Sequence, residues 1–179
     1  GKAMRHYAAC HLKYAFAAPP GSAADRLYGG AYQGAGLALY SFGNRGELGT
    51  PFVAYLFQGA RIVRLASFLS FDYEWNFGLS WGWRPYDSHT NPYNTAVGSR
   101  VNAYINTNFH LNWWLSSRWR LQTGIDLAHF SNGNTRLPNG GVNVLGARLG
   151  LVGSLASSPS ASSADGAPLP LPSFRPRFV

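Results

Sequence analysis

The sequence predicts an all-β fold: a transmembrane antiparallel β-barrel, expected to have eight strands, followed by a disordered C-terminal tail. Three observations lead there. Apolar and polar residues alternate over stretches of roughly 13–15 residues, where an ordinary soluble strand has roughly 5–6. The polar positions hold mostly Asn, Gly, Ser and Gln, not the Lys and Glu of a solvated face. Trp and Tyr gather near the ends of these stretches (Trp81, Trp83, Tyr86; Trp113, Trp114, Trp119), as they do at a membrane–water boundary.

The alternation is clearest from Leu69, where Phe71, Tyr73, Trp75, Phe77, Leu79, Trp81 and Trp83 share the odd face. Ser70, Asp72, Glu74, Asn76 and Ser80 share the even face. It returns from Val101, with Ile105, Phe109, Leu111 and Trp113 set against Asn102, Asn106, Asn108, His110 and Asn112. A third run starts at Trp119 and sets Leu121, Ile125 and Leu127 against Arg120, Gln122 and Asp126. A last one sets Leu145, Ala147, Leu149 and Leu151 against Gly146, Arg148 and Gly150. Shorter strands are read at His6–Phe16, Gly34–Phe42, Phe52–Gln58 and, more weakly, Ala60–Leu65. Gly43–Gly46 and Ser116–Arg118 read as tight turns and Pro85–Thr95 as a longer loop. This makes about seven strands. Single-chain outer-membrane barrels have an even number, so one more is expected within residues 51–83.

A soluble sandwich or carrier would alternate in the same way but with the apolar face inward. The two are told apart by where Phe71, Trp75, Phe77, Ile105 and Leu111 point. The expected barrel spans residues 6–153. Residues 154–179 are Ser, Ala and Pro without periodicity, the composition of a disordered tail.

Composition excludes other classes. Of 179 residues 46% are hydrophobic and only 12% charged, against roughly 25% charged in an average soluble domain. Twenty-one glycines argue against a helical bundle, and no run of eighteen apolar residues supplies a transmembrane helix. The net charge of +8 comes almost wholly from arginines scattered singly. No stripe fits a polyphosphate groove, so nucleic acid is not an expected partner. Isolated arginines suit the single phosphates of a lipid headgroup instead. With Cys10 the sole cysteine, there is no internal disulfide and no cysteine-based metal site. The first twenty residues show no charged segment leading into an apolar run, so no signal peptide is read in this chain.

Chemistry concentrates after Leu127, in Ala128-His129-Phe130-Ser131-Asn132-Gly133-Asn134-Thr135-Arg136-Leu137-Pro138-Asn139-Gly140-Gly141-Val142-Asn143. By parity, His129 and Ser131 continue the face of Ile125 and Leu127, the one expected to touch lipid. Polar groups are costly there and usually functional. Asn143 shares the face of Leu145. Residues 129 and 143 are symmetric about Arg136, so His129 and Asn143 are expected to be cross-strand neighbours.

This segment resembles the lipid A 3-O-deacylases of the PagL type and the related acyloxyacyl-hydrolase-like proteins of Gram-negative outer membranes. The resemblance rests on His-x-Ser-Asn at 129–132, Pro138-Asn139-x-Gly141 and the position of Asn143. Tyr32-Gln33-Gly34, Tyr73–Gly78 and Gly98–Tyr104 add looser matches. The resemblance implies an eight-stranded outer-membrane barrel with its catalytic groups on the outer wall. The implied chemistry is serine esterase chemistry on an acyl chain of lipid A, without metal or cofactor. Carried over, the catalytic set is Ser131 as nucleophile, His129 as general base and Asn143 as third member. Backbone N–H groups around Asn132, Gly133 and Asn134 would hold the oxyanion, with the side chain of Asn132 as the alternative donor. Apart from the resemblance, the loop position of Arg136 beside His129 and Ser131 suits it to hold phosphates or sugars of lipopolysaccharide, with Arg84 or Arg100 as a further contributor. One position departs: the family has glutamate where this chain has Asn143. An amide can orient an imidazole but cannot balance its charge. The alternative is therefore a catalytically weak or inactive barrel with a structural or lipopolysaccharide-binding role.

Overall fold

The structure, a computed structural model, describes residues 6–19 and 21–155. The expected tail lies almost wholly outside the described residues. Seven strands form one antiparallel sheet in simple meander order: β1 (Ala8–Ala17), β2 (Tyr32–Ser41), β3 (Gly49–Ala66), β4 (Leu69–Trp83), β5 (Asn102–Trp114), β6 (Trp119–Ser131) and β7 (Val142–Gly153). Two short helices interrupt the connections, α1 (Ala23–Leu27) before β2 and α2 (Arg45–Leu48) before β3. No helix among the described residues is long and apolar enough to cross a membrane.

The expected extra strand within residues 51–83 is not found. β3 runs unbroken for 18 residues through Gly59 and Arg61 and turns at Ser67 and Phe68 directly into β4. Gly59, Arg61 and Arg64 interrupt the apolar pattern, but the ladder to β4 supplies the backbone hydrogen bonds that keep them in one strand. Gly43–Gly46 likewise leads into α2, not a simple turn, whereas Ser116–Arg118 is the tight β5–β6 turn expected.

The sheet curls so that one face closes on itself. Side chains from distant strands meet there: Lys13 of β1 pairs with Glu74 of β4, and Arg148 of β7 reaches the same carboxylate at 3.6 Å. Tyr40 of β2 and Tyr104 of β5 share a 3.1 Å hydroxyl contact. A flat sheet would hold these strands far apart. No ladder among the described residues joins β1 to β7, so the curl is a half-barrel open along that seam.

The alternation decides which face is which. Trp75, Phe77 and Ile105 are 46, 56 and 47% exposed, whereas Glu74, Asn76, Asn106 and Asn108 are buried. Phe71 and Leu111 are half-buried on the outer face. The apolar wall points outward, opposite to a soluble carrier. Inside, an aromatic plug of Tyr40, Phe42, Trp83, Tyr104 and Phe130 fills the end nearest the long loops. A polar network fills the remainder.

Trp83 corrects the parity reading. It was expected outside with Trp81, yet it is buried, stacked on Phe42 at 5.5 Å and donating Nε1–H to Ser80 Oγ at 2.8 Å. Between the Gly49–Trp83 and Phe52–Trp81 pairs, two residues of β3 (Thr50 and Pro51) oppose one of β4 (Gly82), a bulge, and the backbone at Gly82 is left-handed (φ 84°). The last side chain of β4 is thereby rotated inward.

Candidate active site

β6 and β7 pair residue by residue, with His129 directly opposite Asn143. The preceding and following rows are set by burial: Ala128, Phe130, Val142 and Val144 pack into the interior, so their odd-numbered neighbours must project outward. His129 Nδ1–H donates to Asn143 Oδ1 at 2.7 Å. Its Nε2 stands 3.0 Å from Ser131 Oγ. The first bond places the ring proton on Nδ1, which leaves Nε2 free to accept from the serine hydroxyl. Ser131, His129 and Asn143 thus form one hydrogen-bonded chain on the outer wall. The sequence brought these three together, and the structure gives them hydrogen-bonding geometry.

No carboxylate among the described residues joins them. Asp126 and Glu74 lie on the inner face: Asp126 accepts from Tyr7 and Asn106, and Glu74 from Lys13 and Asn108. The third position belongs to Asn143.

Below the site, toward the short turns, the outer rows of β6 and β7 read Leu127 beside Leu145, Ile125 beside Ala147, Thr123 beside Leu149 and Leu121 beside Leu151. Leu145 and Leu149 are among the most exposed side chains of the wall. An apolar track therefore starts one row beneath His129.

The oxyanion candidates divide. The backbone N–H of Asn132 donates to Asn139 Oδ1 at 3.1 Å, and its side-chain amide donates to Arg136 O at 2.7 Å. The backbone N–H of Asn132 and one N–H of its side-chain amide are therefore spent holding the loop, contrary to the expectation that the backbone N–H of Asn132 faces a substrate. The backbone N–H groups of Gly133 and Asn134, both at left-handed φ (63° and 66°), have no partner among the described residues. Asn132 Oδ1 is buried without a hydrogen bond, a spare acceptor beside Ser131.

Sequence reasoning read Pro85–Thr95 as a longer loop but missed that this segment braces the site. Residues 84–101 carry two buried asparagines. Asn91 Nδ2 donates to the carbonyls of Glu47, Arg84 and Pro85, and Asn94 Nδ2 to those of Glu47 and Arg84. Asn94 Oδ1 accepts from the N–H groups of Ala96 and Val97. The segment so fixed receives the site loop through Gly140 N–H to Thr95 O and Gly141 N–H to Ala96 O. A side chain at Gly98 would come within 2.6–2.8 Å of the backbone at Arg136, Leu137 and Pro138. The repeated Asn in Asn91-Pro92-Tyr93-Asn94, within a loop, was the available signal.

A half-barrel with an outward apolar wall and a Ser–His pair on that wall belongs to the class of hydrolase-like β-barrel proteins. Comparison gives the family. A family model described as lipid A 3-O-deacylase (PagL) matches residues 13–152. The chain belongs to that family, whose members are ester hydrolases acting on lipid A. No curated protein and no solved structure matches the chain.

Proposed function

We propose that the chain is an outer-membrane serine esterase that removes an ester-linked acyl chain from lipid A. The observation that carries this is the continuous Asn143–His129–Ser131 hydrogen-bond chain on the apolar outer wall. In this reading the wall sits in the lipid of the outer membrane. The acyl chain lies along the Leu127/Leu145 track, and its ester reaches Ser131.

Ser131 Oγ attacks the ester carbonyl as His129 Nε2 takes its proton. The tetrahedral oxyanion is held by the N–H groups of Gly133 and Asn134. The imidazolium then protonates the departing sugar oxygen, leaving an acyl-serine, and water attacking through the same base releases the fatty acid. Asn143 holds the ring's tautomer and orientation through both steps. It does not neutralise the imidazolium, which is the feature that supports the second reading, a weak or inactive lipopolysaccharide-binding barrel.

The test is mass spectrometry of lipid A from cells expressing the chain or its Ser131→Ala variant. The esterase reading expects loss of one ester-linked acyl group, with the variant slower by about 10³-fold or more. Identical lipid A in both strains, and in cells lacking the chain, supports the binding barrel.

A further inference from the structure

The long loops meet beside the site around a cavity of about 680 Å³ lined by Arg84, Arg100, Arg136 and Asp87, among others. Its charge is unbalanced. Arg84 donates to two backbone carbonyls, Gly46 O at 2.6 Å and Thr90 O at 3.1 Å, which fix the guanidinium without compensating it. The side chains of Arg100 and Arg136 make no hydrogen bond or ion pair among the described residues. Asp87 is the carboxylate of the lining, and its Oδ1 is occupied by the N–H groups of Thr90 and His89 and the hydroxyl of Thr90. Those bonds, the backbone N–H of Thr90 first, hold its carboxyl below the usual range, so it stays ionised. Three guanidinium charges, of which Arg84 is held in place, then line the cavity with one carboxylate. Like charges gathered on a braced loop repel one another unless an anion joins them.

The cavity is also mechanically joined to the nucleophile. Asn132, the residue after Ser131, grips the carbonyl of Arg136. The backbone at Arg136 packs on Gly98, two residues before Arg100. Arg84 is held through its own carbonyl by Asn91 and Asn94.

We propose that Arg84, Arg100 and Arg136 form the site for a phosphate monoester on the headgroup of the glycolipid whose ester meets Ser131. This rests on the esterase reading for the identity of the lipid. Guanidinium forks match phosphate oxygens in pairs, and three of them around one cavity make a phosphate site, not a general cationic surface. The site fixes which way the sugar lies, and hence which ester is presented.

The experiment uses the full chain in detergent micelles as Ser131→Ala, so that binding is read without turnover. Its affinity for lipid A is compared with that for dephosphorylated lipid A, and inorganic phosphate is added as competitor. The proposal expects lipid A to bind at least tenfold more tightly than its dephosphorylated form. The preference should shrink as salt rises and fall below threefold in Arg100→Gln/Arg136→Gln. Equal affinity for the two lipids overturns it without recourse to any arginine variant. So does a preference that the double variant retains while migrating as a folded barrel. Competition by inorganic phosphate without any preference between the lipids marks a free-anion site and also overturns the headgroup assignment. Failure of the esterase reading looks different: the wild-type chain cleaves nothing, while the phosphate preference stands.

Discussion

β6 carries two polar clusters back to back, and the difference between them separates structure from chemistry. On the inner face Asp126 joins Tyr7 and Asn106, and the neighbouring Glu74 is ringed by Lys13, Arg148 and Asn108. Both oxygens of each carboxylate are engaged within the protein. On the outer face His129, Ser131 and Asn143 form a chain with an open end. Ser131 Oγ–H donates a hydrogen bond to His129 Nε2, and the oxygen faces away from the interior with its lone pairs uncommitted. A closed polar cluster stabilises a fold, whereas one left open on an apolar wall is available to a substrate.

The sharpest break of this comparison is Glu74→Ala. It strips the interior of a carboxylate that is 1% exposed and leaves Lys13 and Arg148 facing each other. Removing one partner of a buried ion pair costs about 3–5 kcal/mol. The unfolding temperature in detergent should fall steeply, followed by the shift of the heat-modifiable band, while the rate per folded molecule holds. Ser131→Ala should do the reverse, with stability within about 0.5 kcal/mol of wild type and hydrolysis lost. Equal destabilisation by the two would erase the distinction between the clusters.

Much of this was legible in the sequence because period-two alternation depends on the local pleat and not on the partner strand. That put Glu74 and Asp126 inside and His129 and Ser131 outside, and hairpin symmetry about Arg136 set Asn143 opposite His129. Alternation fails where an extra residue enters a ladder. Trp83 was misassigned because a bulge is a property of two strands. The division of β3 at Gly59 failed for a related reason, since ladder bonds override a locally weak strand. The donors of Asn132 were misjudged because competition for them comes from Asn139 and Arg136 O, across a loop whose path depends on bracing by Asn94. None of these is written in one segment alone.

The second prediction turns on the amide. Asn143→Glu supplies the charge that the outer cluster lacks and should raise kcat about tenfold or more by stabilising the imidazolium in the transition state. Asn143→Ala removes the acceptor for Nδ1–H, frees the ring and should lower kcat by about tenfold. Ester hydrolysis by wild type and both variants reads this out. Absence of hydrolysis in wild type that glutamate does not restore would remove the esterase reading and leave the fold intact.

The smallest effect comes from Gly141, where strain and position can be separated. Its φ of 71° is left-handed, and a Cβ there would stand 3.2 Å from His129 Cε1 and 3.2 Å from Phe130 O. Gly141→Ala therefore carries about 1 kcal/mol of backbone strain and also pushes the imidazole by a few tenths of an ångström. Gly21 has a similar φ of 76° but open space where the Cβ would lie, far from the site at the opposite end of the strands. Gly21→Ala should share the strain and spare the ring. The two alanine variants are thus expected to lose similar stability in detergent. Only Gly141→Ala should lose rate, by about threefold, because a displaced base misaligns proton transfer from Ser131. A rate loss shared by both variants would trace to general loosening, and an unchanged rate in Gly141→Ala would mean that the ring's position does not govern the reaction.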